Sequence, residues 1–136
     1  MSCFKHIQKK FFIENLSIQN IAKKHVTPFY LYSSSQIKEN YLSFIKDFKN
    51  VNPLVCFSVK SNSNPFILKF LKNLGSGADV VSQGELLKAL KAGIKPSKIV
   101  FSGVGKSEEE LRLAIRKKIL LINIESESEA FLINKI

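Results

Sequence analysis

Gly75-Ser76-Gly77-Ala78-Asp79-Val80-Val81-Ser82-Gln83-Gly84-Glu85-Leu86 is the stretch whose reading decides the fold. The apolar, β-prone run Ala78–Val81 passes straight into Ser82-Gln83-Gly84-Glu85, which has capping-box spacing. A helical pattern follows over Leu86–Ala92, and Gly93 suits its C-terminus. A strand followed at once by a capped helix is a βα unit. The same order recurs on both sides. Apolar runs at Leu54–Val59, Ala78–Val81, Ile99–Phe101 and Leu120–Ile124 begin 24, 21 and 21 residues apart. Asn64-Pro65 opens a helix over Phe66–Leu74. Ser107–Glu110 and Ser126–Glu129 repeat the capping-box spacing before Leu111–Lys118 and Ala130–Ile136. This rhythm implies a parallel sheet, and the nearly continuous apolar runs suit strands covered on both faces.

Upstream, the pattern predicts a helix from Ser35 to Lys49, with Ile37, Tyr41, Phe44, Ile45 and Phe48 on its apolar stripe. A shorter helix is expected over Ile18–Lys24, and a strand over Thr27–Tyr32, opened by Pro28. The reading divides the chain into an N-terminal segment, 1–33, and a βα region, 34–136. An eight-unit barrel takes about 250 residues, so four units make an incomplete (β/α)8 barrel. A small open doubly wound sheet is the alternative.

Composition removes several classes. The chain has 136 residues, 45% hydrophobic and 24% charged, which is the balance of a single globular domain. Its net charge is +10, carried by 19 Lys and 2 Arg against 11 acidic residues. Arginine is the residue that reads base edges and clamps phosphates, so its scarcity argues against a nucleic-acid partner. No apolar run reaches the roughly 18 residues of a membrane span. No cleaved secretory signal is expected. Cys3 and Cys56, 53 residues apart, fit neither a disulfide scaffold nor a metal knuckle, and a reducing cytoplasm is the expected compartment.

Three stretches could carry chemistry. In Phe57-Ser58-Val59-Lys60-Ser61-Asn62, Lys60 ends an apolar strand, and parallel sheets place ligands at strand C-termini. A partly desolvated lysine there has a lowered pKa and a free amine, which Schiff-base chemistry needs. The plainer reading is a lysine leaving the strand for water. Asp79 lies inside an apolar strand, where an unpaired carboxylate is costly. Lys60 on the neighbouring strand is its expected partner, and capping a nearby loop is the alternative. Glu85 reads as a capping residue. Finally, Phe101-Ser102-Gly103-Val104-Gly105-Lys106-Ser107 approaches a P-loop but has Val100 where the first glycine belongs, so ATP or GTP binding is not expected.

These motifs, together with Thr27-Pro28-Phe29-Tyr30-Leu31-Tyr32, occur in an order and spacing that resembles diaminopimelate decarboxylase, over about Ile18 to Ile136. The wider group is the pyridoxal-phosphate decarboxylases with an alanine-racemase-like barrel. The Gly-Lys-Ser and Gly-Glu-Leu forms lean away from its ornithine and arginine branches, and a non-catalytic pyridoxal-phosphate module is a further alternative. The resemblance implies a (β/α)8 barrel joined to a C-terminal β-domain that pairs with residues 1–33. It implies a homodimer and a small amino-acid substrate, with meso-diaminopimelate converted to L-lysine and carbon dioxide in lysine biosynthesis. Lys60 matches the lysine that holds pyridoxal 5'-phosphate covalently, which makes it the expected catalytic and cofactor-binding residue. Asp79 matches a pocket aspartate beside the cofactor. Ser58 and Ser61 stand where the family's motif has alanine. The family's other site residues lie in later strands, outside this sequence, so the chain is expected to be an N-terminal fragment, inactive alone.

Overall fold

The structure, a computed structural model, describes residues 3–48 and 50–136. It forms two compact units, Met1–Val51 and Asn52–Ile136.

The first unit opens with antiparallel strands β1 (Phe4–Ile7) and β2 (Lys10–Ile13), paired Phe4 to Ile13 and Ile7 to Lys10. Gln8 and Lys9 form the two-residue turn, both with positive φ (47° and 63°). Such turns match the twist of the strands they join and favour Asn or Gly, so Gln-Lys gives no sequence cue. A short strand, β3 (Leu16–Ser17), adds to β2. Helix α1 (Ile18–Ala22) follows directly. Thr27–Tyr32 is not a strand: it joins no sheet, and Val26 and Tyr30 are exposed. Pro28 has no N–H to give a ladder, and among the described residues no strand lies beside it. Helix α2 (Ser34–Asp47) begins at Ser33, whose Oγ accepts from Gln36 N at 3.1 Å. The C-terminal end expected for this helix, Lys49, lies outside the described residues.

The Glu14 carboxylate fastens that helix start. Its Oε1 accepts from Ser33 Oγ (2.7 Å), Ser35 N (3.0 Å) and Ser35 Oγ (2.7 Å). The Ser33 hydroxyl, then both Ser35 groups, hold the Glu14 carboxyl below the usual range.

The second unit contains the parallel sheet. Its strands β4 (Cys56–Ser58), β5 (Gly77–Val80), β6 (Ile99–Phe101) and β7 (Leu121–Ile122) lie side by side in chain order. Helices α3 (Pro65–Asn73), α4 (Gln83–Lys91) and α5 (Glu108–Lys117) connect them, and α6 (Glu127–Lys135) follows β7. The caps fall where the sequence places them: Asn64, Ser82, Ser107 and Ser126 each accept a backbone N–H of the first turn. Each such cap contributes about 1 kcal/mol.

The two faces of the sheet differ. Ala78, Val80, Ile99 and Phe101 are fully buried in one core with Leu68 of α3, Leu86 and Ala89 of α4 and Ala114 of α5. Alternation sends Ser58, Asp79, Val100 and Leu121, which lie in register, to the opposite face. There Asp79 and Val100 are half-buried and Leu121 is 51% exposed. The helix-covered face therefore supplies the core. The expectation of strands buried on both faces holds for one face only.

Gly77 shows how tightly the sheet is built at its lower end. A Cβ at Gly77 would be driven into the carbonyl oxygen of Lys98 and lie 2.8 Å from Cys56 Sγ. Burial, then the nearby Asp79 charge, pushes the Cys56 thiol up.

Candidate functional site at the strand ends

Because the four strands are parallel, their C-terminal ends share one rim. Lys60, Ser82, Ser102 and Asn123 follow β4, β5, β6 and β7 there.

Lys60 sits in a single 3-10 turn, Val59–Ser61, directly after β4. The turn is pinned at both ends. Val59 is fully buried in the core, and Ser61 Oγ donates to the Ser58 carbonyl at 2.7 Å. Asn62 N donates to the Val59 carbonyl at 3.1 Å. Between these anchors Lys60 is exposed, and no ion pair joins it to a described residue. The partial desolvation expected of this lysine is not seen, since its side chain is exposed. Ser58 Oγ is buried without a hydrogen-bond partner.

Asp79 does not pair with Lys60. Its Oδ1 accepts from Ser102 Oγ at 2.6 Å, and Ser102 Oγ accepts from Asn123 Nδ2 at 2.9 Å. The chain Asn123–Ser102–Asp79 thus crosses three strands at the rim. The backbone places its members, since Ser102 N donates to the Val80 carbonyl and Asn123 N to the Phe101 carbonyl, both at 2.8 Å. A hydroxyl satisfies the carboxylate without a cation because Asp79 is only half-buried and keeps contact with water. The capping alternative is closer: Asp79 binds the side chain of Ser102, the first residue of the loop after β6, rather than a loop backbone N–H.

Lys106 is the residue that sequence reasoning missed. Its side chain is only 1% exposed. Nζ donates to the carbonyls of Gly103 (2.7 Å) and Asn123 (2.7 Å) and to Glu129 Oε1 (2.8 Å). The ammonium has three N–H groups, so these acceptors use its full capacity. Nζ also lies 5.9 Å from the Phe101 ring centroid. The lysine of the P-loop-like stretch is therefore consumed inside the fold and offers nothing to a phosphate.

Glu129, expected as a capping acid, has a second task. Ser126 Oγ caps its N–H at 3.2 Å, but the carboxylate turns to Lys106 and, through Oε2, accepts from Glu125 N at 2.7 Å. Burial pushes the Glu129 carboxyl up. The Lys106 hydrogen bond, the Glu125 N–H and the Lys106 charge outweigh it and hold the group below the ordinary carboxylate range. The acidic residue three beyond a serine was the only signal, and it pointed to the cap alone.

Glu85 and Glu110 stay structural. Glu85 Oε2 accepts from Val81 N at 2.9 Å. Glu110 completes a full capping box with Ser107 and also accepts from Gln83 N at 2.8 Å, tying α5 to the start of α4. Among the described residues no group of three His, Cys, Asp or Glu could hold a metal ion, and no helix is long and apolar enough to cross a membrane.

A parallel α/β sheet with a lysine and a carboxylate at its C-terminal rim defines a class of small-molecule enzyme domains. Residues 34–136 match the family described as pyridoxal-dependent decarboxylase, pyridoxal binding domain, and the chain belongs to it. Its relatives narrow this further. It is 47% identical to the diaminopimelate decarboxylase of Aquifex aeolicus over 125 residues, 92% of this chain and 29% of that protein. It is 43% identical to that of Haemophilus influenzae over 136 residues, 100% of this chain and 33% of that protein. Among solved structures, diaminopimelate decarboxylase from M. jannaschii superposes with a TM-score of 0.94 at 37% identity, covering 98% of this chain and 32% of that one. A structure of SrLDC in complex with PLP and cadaverine superposes with a TM-score of 0.81 at 27% identity, covering 99% of this chain and 33% of that one. The fold is thus a partial (β/α)8 barrel of alanine-racemase type. The chain spans about a third of the length of the curated relatives it matches.

Proposed function

We propose that this chain is the N-terminal part of a pyridoxal-phosphate-dependent diaminopimelate decarboxylase, a carboxy-lyase that forms L-lysine and carbon dioxide from meso-diaminopimelate. The observation that carries the reading is the position of Lys60. Its amine is exposed and without an ion pair among the described residues, at the C-terminal end of β4 and on the rim that holds Asp79. That donor chemistry fits an aldehyde cofactor: a primary amine open to a ligand, beside a carboxylate fixed by a hydroxyl. The unpartnered Ser58 Oγ lies in register with Asp79 and leaves one more polar group for a ligand.

Pyridoxal 5'-phosphate, when bound, supplies the electron sink for the pair left by a departing carboxylate. Lys60 supplies the amine that anchors it, and Asp79 supplies fixed negative charge beside it. Residues 34–136 are read as the cofactor-binding half barrel, and residues 1–33 as the segment that pairs with a C-terminal β-domain. Similarity to diaminopimelate decarboxylases over most of the chain supports an amino-acid substrate and a place in lysine biosynthesis; a homodimer and a cytoplasmic location belong to the same proposal.

The test is covalent trapping. The chain is incubated with pyridoxal phosphate, reduced with borohydride, digested and examined by mass spectrometry. A phosphopyridoxyl group is expected on Lys60 in preference to the other 18 lysines. Equal labelling of all of them, or preference for another, would overturn the assignment.

A further inference from the structure

We propose that Lys106 is a positioning residue for this rim, acting through backbone carbonyls and not through any contact with ligand. The inference rests on the reading of the rim as a cofactor site. Two of the three bonds from Nζ end on the segments that carry the polar chain. One goes to the carbonyl of Gly103, next to Ser102, and the other to the carbonyl of Asn123 itself. The third, to Glu129, fixes the ammonium from the opposite side.

Both segments need such an anchor. Gly103, two residues beyond the end of β6, has a φ of 94°, and a Cβ there would lie 3.3 Å from that of Val81, so the chain turns sharply against β5's exit. β7 is only two residues long, so its ladder gives Asn123 little support. Gly103 N adds one further tie, donating to Glu125 Oε1 at 3.2 Å. Without the ammonium, the carbonyls of Gly103 and Asn123 would lose their shared donor and face the Glu129 carboxylate across the gap, and the two loops would separate. The distance from Asn123 Nδ2 to Ser102 Oγ would then open, and Ser102 would lose the contact that orients its hydroxyl on Asp79. Replacing a buried ion pair by apolar groups is often neutral for stability, so what this ammonium contributes is geometry. Here it fixes the register of two loops at the rim.

The experiment follows the Asn123 side-chain amide by NMR in the full 136-residue chain. Ser102→Ala marks the resonance of an amide without its acceptor. Lys106→Met is expected to move the Asn123 signal to that same position, and Leu68→Ala, a core truncation on α3, is expected to leave it in place despite lower stability. If Lys106→Met does not fold, Glu129→Gln is read instead, because loosening the ammonium is expected to shift the signal part of the way. An Asn123 resonance unmoved in the folded variant would overturn the proposal.

Trapping of pyridoxal phosphate separates this inference from the reading on which it rests. Lys106→Met is expected to slow labelling of Lys60 about tenfold, the effect of one lost hydrogen bond to a charged group. Ser102→Ala is expected to do the same, and the double variant no more than either. Failure of the unaltered chain to favour Lys60 would refute the cofactor site while leaving the NMR result to judge Lys106. A normal Lys60 rate in Lys106→Met would refute the positioning role alone.

Discussion

Ser102 Oγ lies 2.6 Å from Asp79 Oδ1, although the two residues are 23 positions apart and belong to segments following different helices. Parallel pairing makes this contact: Asp79 is opposite Val100, so Ser102 stands one step beyond the strand end, above the carboxylate. Ser102→Ala leaves both neighbours short of a partner. A half-buried, charge-assisted hydrogen bond of this kind contributes about 1–2 kcal/mol. Urea unfolding of Ser102→Ala is expected to show a loss of that size, with Asp79→Ala in the same background costing less than it does alone. Additive losses would mean that the two groups do not depend on each other.

Gly77→Ala is expected to be among the most damaging single-methyl changes in the sheet. The added Cβ meets the Lys98 carbonyl, in the turn just before β6, and the Cys56 sulfur on β4, and backbone so close to the sheet cannot step aside cheaply. Overpacking of this sort costs about 1–3 kcal/mol. Thermal unfolding compared with Gly84→Ala, where only Ser82 Oγ is near, at 3.9 Å, tests the claim. Equal midpoints for the two variants would refute the close approach.

Period and punctuation made the second unit readable. Four apolar runs, each followed by a serine or asparagine cap, give the parallel order β4-β5-β6-β7, and Ile99–Phe101 is placed to the residue. Turn chemistry hid the hairpin of the first unit, because Gln8 and Lys9 adopt positive φ without the Asn or Gly that usually announces it. Thr27–Tyr32 misled in the opposite sense: β-prone side chains suggested a strand that has no neighbour to pair with. At the site, Lys60 and Asp79 were visible because a charge in or after an apolar strand stands out. The true partner of Asp79, Ser102, was not, since cross-strand partners depend on register. The Lys106–Glu129 pair spans 23 residues and joins the loop before α5 to the first turn of α6, and no local pattern encodes it.

Ser107→Ala removes a complete capping box. Ser107 Oγ accepts from Glu110 N at 3.3 Å, while Glu110 Oε2 accepts from Ser107 N at 3.0 Å. The backbone N–H of Ser107 is the main cause that holds the Glu110 carboxyl below its usual range, against the opposing effect of burial. That N–H survives in Ser107→Ala. The variant is therefore expected to lose about 1 kcal/mol through the hydroxyl alone. Glu110→Gln is expected to lose more, because Gln83 N is also served by this carboxylate. Circular dichroism melts of the two variants give the order, and the reverse order would place the strength of the box in the serine.

Acid should dismantle the Lys106–Glu129 lock in a defined direction. The folded chain holds Glu129 below the ordinary carboxylate value, so the folded state binds its proton less readily than the unfolded state does. Its contribution to stability is complete above the unfolded value of about 4.3 and is lost as pH falls through the lower folded value. Glu129→Gln removes one partner of a buried pair and leaves the ammonium uncompensated, a change that costs about 3–5 kcal/mol near neutrality. Below the folded value the wild-type carboxyl is protonated as well, so the two proteins should converge. Urea midpoints followed from pH 7 downward through the acid range provide the measurement: a wide gap at neutrality that narrows as the pH falls. Glu14 and Glu110 are held low in the same sense, so the wild-type slope will not vanish in the variant but will become shallower. A gap whose width does not change anywhere along the acid titration of the folded proteins would show that the charge on Glu129 is not what secures Lys106.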